Sequence, residues 1–387
     1  MSADIYLDYN GSAPLDPRVL DAMSPTLRDG IGNASSVHRF GRAQAARVET
    51  AREQVSQLVR ATATSTVIFT SGATEANNLA LQGIVADANP ERTRIVISAV
   101  EHASVAAAAS WLAQQGLAKV DTIPVTRGGA VDLAALEGLL DSDVLLVSAV
   151  AANSETGITN DLPAIGELAA NAGAMFHSDV TQLVGRLPFD MAAVGADAVS
   201  ISGHKICGPT GIGALVTNKT TARRLRPVLH GGGHERGLRS GSLNVAGIVG
   251  LGAASAIAAD EQSSEAARVG QLRDALVAQL RNRLDGVIQN GDVRCRLPNT
   301  ANLRFVGADG DAVMANMESV AVSSGSACSA GALEPSPVLL AMGMNRVAAE
   351  ESLRFSLGRF TTADEVDEAA RRAIRAVERV RFLTEGT

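Results

Sequence analysis

Short runs of β-branched and other apolar residues recur along the chain at 67–70, 94–100, 144–150, 175–179, 198–202 and 214–217, each bounded by turn residues. Between several of them lie Ala- and Leu-rich segments with helical spacing, at 75–88, 104–115, 133–140 and 165–172. Strands alternating with helices predict an α/β fold whose sheet is mostly parallel and covered on both faces. Ligands of such sheets bind beyond the carboxyl ends of the strands, so the residues just past each strand are where chemistry is expected. After about residue 258 the pattern changes. A long helical stretch over 254–284 precedes strand-like runs at 294–305, 320–323 and 352–356, and a final helix spans 363–382. Thr362 is placed to cap that helix, with Asp364 and Glu365 favourable to its dipole. This second part reads as a smaller α+β domain.

Composition narrows the class. A chain of 387 residues is long enough for two or three domains. With 46% hydrophobic and 19% charged residues it is not a disordered chain. A net charge of −7 argues against direct nucleic-acid binding. Three widely spaced cysteines exclude a disulfide framework and fit a reducing compartment; no pair has zinc-ligand spacing, so no metal is expected. The opening residues show no basic and apolar leader pattern, and no apolar stretch is long enough to span a bilayer. A cytoplasmic protein with no membrane contact is the expectation.

Four strand ends carry candidate chemistry. Ser-Gly-Ala-Thr-Glu at 71–75 follows one strand and opens a helix, a geometry that offers free N–H groups to an anion, though an ordinary strand-to-helix turn reads the same way. Ser202, His204 and Lys205 follow another strand; a lysine there can form a Schiff base, or be a surface residue. Asp179 closes a third strand, where a buried carboxylate needs a positive or hydrogen-bonding partner unless it is a helix cap. His102 follows a fourth, as a stacking ring, an acid/base group or a structural histidine. Cys328 sits among Ser, Gly and Ala, an accessible setting for a nucleophilic thiolate. Cys207 reads as a packing residue, and Cys295 shows no partner pattern. Together, an anion cradle, a lysine, a carboxylate and an imidazole at neighbouring strand ends describe a site for pyridoxal phosphate.

In combination, the motifs SGATE, EH, SGHKICGP, HGGGHERGLRSGS and SSGSACSAGALEPS resemble those of the class V aminotransferase group, and specifically the NifS/IscS-like cysteine desulfurases, over nearly the whole chain. The resemblance implies the type I fold of pyridoxal-phosphate-dependent transferases. It implies a large cofactor domain over 16–258 and a small domain built from 1–15 with 259–387. Lys205 resembles the Schiff-base lysine, His102 the ring-stacking histidine, Asp179 the partner of the ring nitrogen and Gln182 the donor to the ring hydroxyl. Ala73, Thr74, Ser202 and His204 match the phosphate binders. Ser242 stands where the family usually has a Thr that reaches the phosphate from the other subunit, which implies a homodimer. Arg354 matches the residue that grips the substrate carboxylate, and Cys328 the thiol that receives sulfur. The family commonly reads Asn-Asn-Glu-x-Gly near the substrate; here Asn153 is followed by Ser154, which removes an amide donor, and Asn153 or a water is expected to compensate.

The implied activity is removal of sulfur from L-cysteine to give alanine, with a persulfide on Cys328 handed to an acceptor protein. A selenocysteine lyase or class V aminotransferase is the alternative on the same fold, and a catalytically idle scaffold the alternative outside enzymology. The sequence stops soon after its last helix, whereas IscS-like members run on into a tail that contacts the iron–sulfur scaffold. A dedicated acceptor docking near Cys328 is therefore expected.

Overall fold

The computed structural model describes residues 4–324 and 335–385, so Cys328 lies outside the described residues. The strands, in chain order, are β1 (Ile5–Tyr6), β2 (Thr66–Thr70), β3 (Arg94–Ser98), β4 (Lys119–Ile123), β5 (Val144–Ser148), β6 (Met175–Asp179), β7 (Ala198–Ser202), β8 (Gly213–Thr217), β9 (Val287–Gln289), β10 (Thr300–Phe305), β11 (Val320–Ala321) and β12 (Ser352–Ser356). Seven of them form one sheet in the order β2-β8-β7-β6-β5-β3-β4. Only β8 is reversed, pairing antiparallel with both β2 and β7; the other pairs are parallel. The carboxyl ends of β2 to β7 therefore open on one edge. The expected α/β architecture is present, with helices such as Ala73–Val85, Ala103–Gln114 and Leu162–Asn171 supplying the cover.

The second sheet is antiparallel, in the order β12-β10-β9. The N-terminal segment joins it: β1 pairs with β11, and Asp8 bridges Ser356. Ile5 and Leu7 are buried with Phe305, Phe355 and the apolar face of the last helix, Ala363–Glu385. Thr362 and Glu365 cap that helix reciprocally, Thr362 Oγ1 accepting from Glu365 N at 3.2 Å and Glu365 Oε2 from Thr362 N at 2.8 Å.

A single helix, Val245–Arg283, crosses between the two cores: Ile248, Leu251 and Ala254 pack with the large sheet, Val269, Leu276 and Leu280 with the small one. It starts nine residues before the helical stretch expected from the sequence. Its early glycines hide it. A Cβ at Gly252 would meet Ala51 Cα at 2.6 Å, and one at Gly250 would meet Pro209 Cγ at 2.7 Å. Small residues there let the helix lie close against Arg39–Leu58. Two further expectations are corrected. The run 294–305 is strand only from Thr300, since the main chain at Cys295 and Leu297 bonds instead to Thr159 and Gly157 of the loop after β5, as an isolated bridge. The edge strand β4 was not expected, because its sequence, KVDTI, is half polar. No helix among the described residues is long and apolar enough to cross a membrane.

Candidate active site

The strand ends converge as the topology requires. After β2 the chain turns at Gly72 into the helix Ala73–Val85, whose N-terminus has no side-chain cap. A Cβ at Gly72 would lie 3.8 Å from Ser202 Oγ, so the turn with Ala73 and Thr74 and the buried Ser202 hydroxyl at the end of β7 share one cradle. Gly213 of β8 makes this approach possible: a side chain there would strike Gly72 at 2.7 Å. Free helix N–H groups beside a hydroxyl suit a phosphate.

Beyond β7 a single turn, Gly203–Lys205, presents His204 and Lys205. Lys205 Nζ donates to the carbonyl of Asn10 at 2.5 Å and to that of Gly11. His204 Nδ1 lies 3.1 Å from Ser12 Oγ. Burial, then the neighbouring Lys205, pulls the His204 pKa down to about 4, so its imidazole is neutral at pH 7. Asp179, 4% exposed, ends β6. Its Oδ2 accepts from Asn77 Nδ2 at 2.8 Å and its Oδ1 from Thr181 N at 3.0 Å. Gln182 is buried; its amide donates to Asn10 O at 3.0 Å and accepts from Arg186 at 2.6 Å. His102 caps the helix Ala103–Gln114 and is exposed, its Nδ1 accepting from Ser104 N at 3.1 Å. Beside it, burial and then the charge of Asp179 push the Glu101 carboxyl well above the usual carboxylate range.

Arg354 comes from the second sheet. It pairs with Asp8 at 2.5 Å and donates from Nη1 to Ser154 O at 3.0 Å. Main-chain bonds tie it to Ser323, just before the stretch that contains Cys328. After that stretch, Ser336 Oγ donates to the buried Glu155 at 2.7 Å. Asn153 ties its own loop to the one after β3. Its Nδ2 goes to Val100 O at 3.1 Å, and its Oδ1 accepts from Glu155 N and Thr156 N, each at 2.9 Å. Ser242 is exposed, on a segment anchored by Glu235, which accepts from Phe69 N at 2.8 Å and pairs with Arg52 at 2.9 Å.

Sequence reasoning missed three polar residues here. Asn10 links the walls: its carbonyl receives Lys205 and Gln182, while its amide donates to Ser154 O at 2.9 Å and Thr300 Oγ1 at 2.8 Å. Asn77 and Ser104 connect Asp179 to His102, with Asn77 Nδ2 2.8 Å from Ser104 Oγ, itself 2.7 Å from His102 Nδ1. None of the three stands in a recognisable motif. Asn10 follows an aspartate and two aromatics, and Asn77 is one of two adjacent asparagines in a helix.

The donor set fits pyridoxal phosphate: an uncapped helix start for the phosphate, a buried carboxylate for the ring nitrogen, an exposed imidazole for the ring face and an amine nearby. The aminotransferase class-V family model matches residues 5–369. A cysteine desulfurase of Frankia sp. (strain EuIK1) is 46% identical, covering 99% of this chain and 93% of that protein. Among solved structures, a NifS-like protein superposes with a TM-score of 0.90 at 32% identity, covering 97% of this chain and 99% of its own. SspA, solved in complex with cysteine, gives 0.81 at 29% identity over 92% and 100%. Strand ends, second sheet and full-length similarity lead to one assignment: the chain belongs to the class V aminotransferase family, within its cysteine desulfurases, and has the type I fold of pyridoxal-phosphate-dependent transferases.

Proposed function

We propose that the protein takes the sulfur atom from L-cysteine with pyridoxal phosphate held at Lys205, and passes it to the Cys328 thiol. The observation that carries this reading is the meeting of two sheets. Lys205, Asp179 and His102 stand at the ends of β7, β6 and β3, and β12 brings Arg354 against Ser154, on the loop after the neighbouring β5.

Ala73, Thr74, Ser202 and His204 would hold the phosphate, with Ser242 supplied from a second copy of the chain. Gln182 would meet the ring hydroxyl, and His102 would cover the ring. Pyridoxal phosphate supplies an electron sink for the substrate α-carbon. Asp179, fixed by two donors, keeps a proton at the ring nitrogen. Lys205 Nζ is the amine that takes and returns protons on the substrate side. Arg354 orients the substrate carboxylate as a planar fork, while Ser154 leaves that grip one amide short of the family pattern.

The overall transfer balances. The carbon–sulfur bond of cysteine breaks, a sulfur–sulfur bond forms on Cys328, and the carbon regains a proton to give alanine. The anchoring of Ser323 on Arg354 and of Ser336 on Glu155 supports the assignment of Cys328, because both flanks of its segment are held beside the substrate arginine. A large domain over 16–258, a small domain from 1–15 with 259–387, a homodimer, a cytoplasmic location, a sulfur-acceptor protein and no direct nucleic-acid contact belong to the same proposal.

The test is the yield of alanine and of reductant-released sulfide from L-cysteine. Both should appear in equal amounts with the wild type. Pyruvate or a transaminated product in place of alanine would refute the reading.

A further inference from the structure

A continuous hydrogen-bonded path joins the two residues proposed to hold opposite parts of the cofactor ring. Asn77 is fully buried in the helix Ala73–Val85, and its Nδ2 is 2.8 Å from Asp179 Oδ2 and 2.8 Å from Ser104 Oγ. Ser104 Oγ is 2.7 Å from His102 Nδ1, and Ser104 N donates to the same nitrogen at 3.1 Å.

Chemistry fixes the direction of each bond. A carboxylate only accepts, so the amide end facing Asp179 is the NH2 group, and its second hydrogen goes to Ser104 Oγ. That hydroxyl then has its own hydrogen to place, and His102 Nδ1 is the acceptor in reach. A main-chain N–H can only donate, so Ser104 N demands a lone pair on the same ring nitrogen. Both donors leave the imidazole proton on Nε2.

The arrangement has a cost that points to a role. Asn77 Oδ1 is buried with no hydrogen-bond partner among the described residues. An unsatisfied buried carbonyl is unfavourable, and such groups call for an explanation. Turning the amide over would set its oxygen against Asp179 and break the path to His102.

We infer that Asn77 and Ser104 are positioning residues that hold the His102 imidazole in its Nε2–H form and couple that form to the carboxylate of Asp179. The inference rests on the reading of His102 and Asp179 as ring-facing groups only for its catalytic consequence. The tautomer itself is a property of the protein.

The test is histidine side-chain 15N NMR of the holoenzyme, with the His102 signals assigned by their loss in His102→Gln. Wild type should show a bare Nδ1 and a protonated Nε2. Ser104→Ala and Asn77→Leu should both move the Nδ1 signal in the same direction and lower kcat about tenfold with KM unchanged. Ser104→Thr, which keeps the hydroxyl, should restore both readouts. Ser104→Ala stands alone if Asn77→Leu does not fold. A protonated Nδ1 in the wild type, or a His102 signal indifferent to Ser104→Ala, would overturn the inference. If the NMR behaves as expected but kcat does not change, the relay stands and the role proposed for His102 fails instead.

Discussion

Ser336 Oγ donates a 2.7 Å hydrogen bond to Glu155 Oε2, joining a residue that follows Cys328 in the chain to the loop that carries Ser154. The other oxygen, Glu155 Oε1, is buried without a partner among the described residues. Burial pushes the pKa of this carboxyl up to about 7, against the pull of the Ser336 bond and of Arg354. Because the folded pKa exceeds the unfolded one, the folded state binds the extra proton between about pH 4.5 and 7. Stability contributed by Glu155 is full below that window and falls as pH rises through it. Glu155→Gln keeps the shape and removes the titration. Denaturant unfolding of both proteins across the window should show wild type losing roughly 3 kcal/mol relative to Glu155→Gln. Parallel curves would place the Glu155 pKa at its ordinary value.

The chain has only three lysines, Lys119, Lys205 and Lys219. Borohydride treatment of the yellow holoenzyme should fix the cofactor on Lys205 alone, read by peptide mass spectrometry. Lys205→Ala should carry no adduct and yield no alanine. A reduced adduct on Lys119 or Lys219 in the wild type would move the anchoring role.

Cys328→Ser should retain the cofactor spectrum and still bind L-cysteine, but release almost no sulfide with reductant. Cys207 is a poor substitute thiol, because burial pushes its pKa up to about 11, and Cys295 is exposed on a loop. Sulfide at the wild-type rate from Cys328→Ser would require another acceptor.

Asn153 is already engaged, its Nδ2 with Val100 O beyond β3 and its Oδ1 with Glu155 N and Thr156 N of its own loop, so it is not expected to replace the amide that Ser154 lacks. Ser154→Asn should therefore lower KM for L-cysteine about tenfold with little change in kcat, the effect of one hydrogen bond to a charged group at the low end of its 1.5–3 kcal/mol range, roughly. An unchanged KM would mean that water already fills that role.

Glu101 should tolerate neutralisation. Burial and then the charge of Asp179 push its carboxyl well above the usual carboxylate range, which favours the neutral acid that Glu101→Gln imitates. Activity within about threefold of wild type at pH 7 is expected, since no buried charge is created or removed. A hundredfold loss would assign Glu101 an ionised role.

The ligand edge was legible in the sequence because apolar runs ending in Ser, Asp or Glu-His mark parallel strands and the turns at their carboxyl ends. β6 and β7 end at the residues expected, Asp179 and Ser202. The supports were not legible. Asn10, Asn77 and Ser104 act through partners as far as 346 positions away, as Asn10 does with Ser356, and nothing local distinguishes them from solvent-facing polar residues. The first nine residues of the helix Val245–Arg283 were hidden for a related reason: glycine lowers helix propensity locally, and only the neighbours Ala51 and Pro209 explain why it is needed.

That same helix makes thermal unfolding a shared event. At about 1.5 Å per residue its 39 residues form a rod roughly 60 Å long. Melting its second half strips Val269, Leu276 and Leu280 from the small sheet, and melting its first half strips Ile248, Leu251 and Ala254 from the large one. Helix propagation couples neighbouring turns, so fraying that begins in either core travels toward the other. Calorimetry should therefore record one endotherm for the whole chain, and a proline at exposed Asp260, between the two buried stretches, should split it in two.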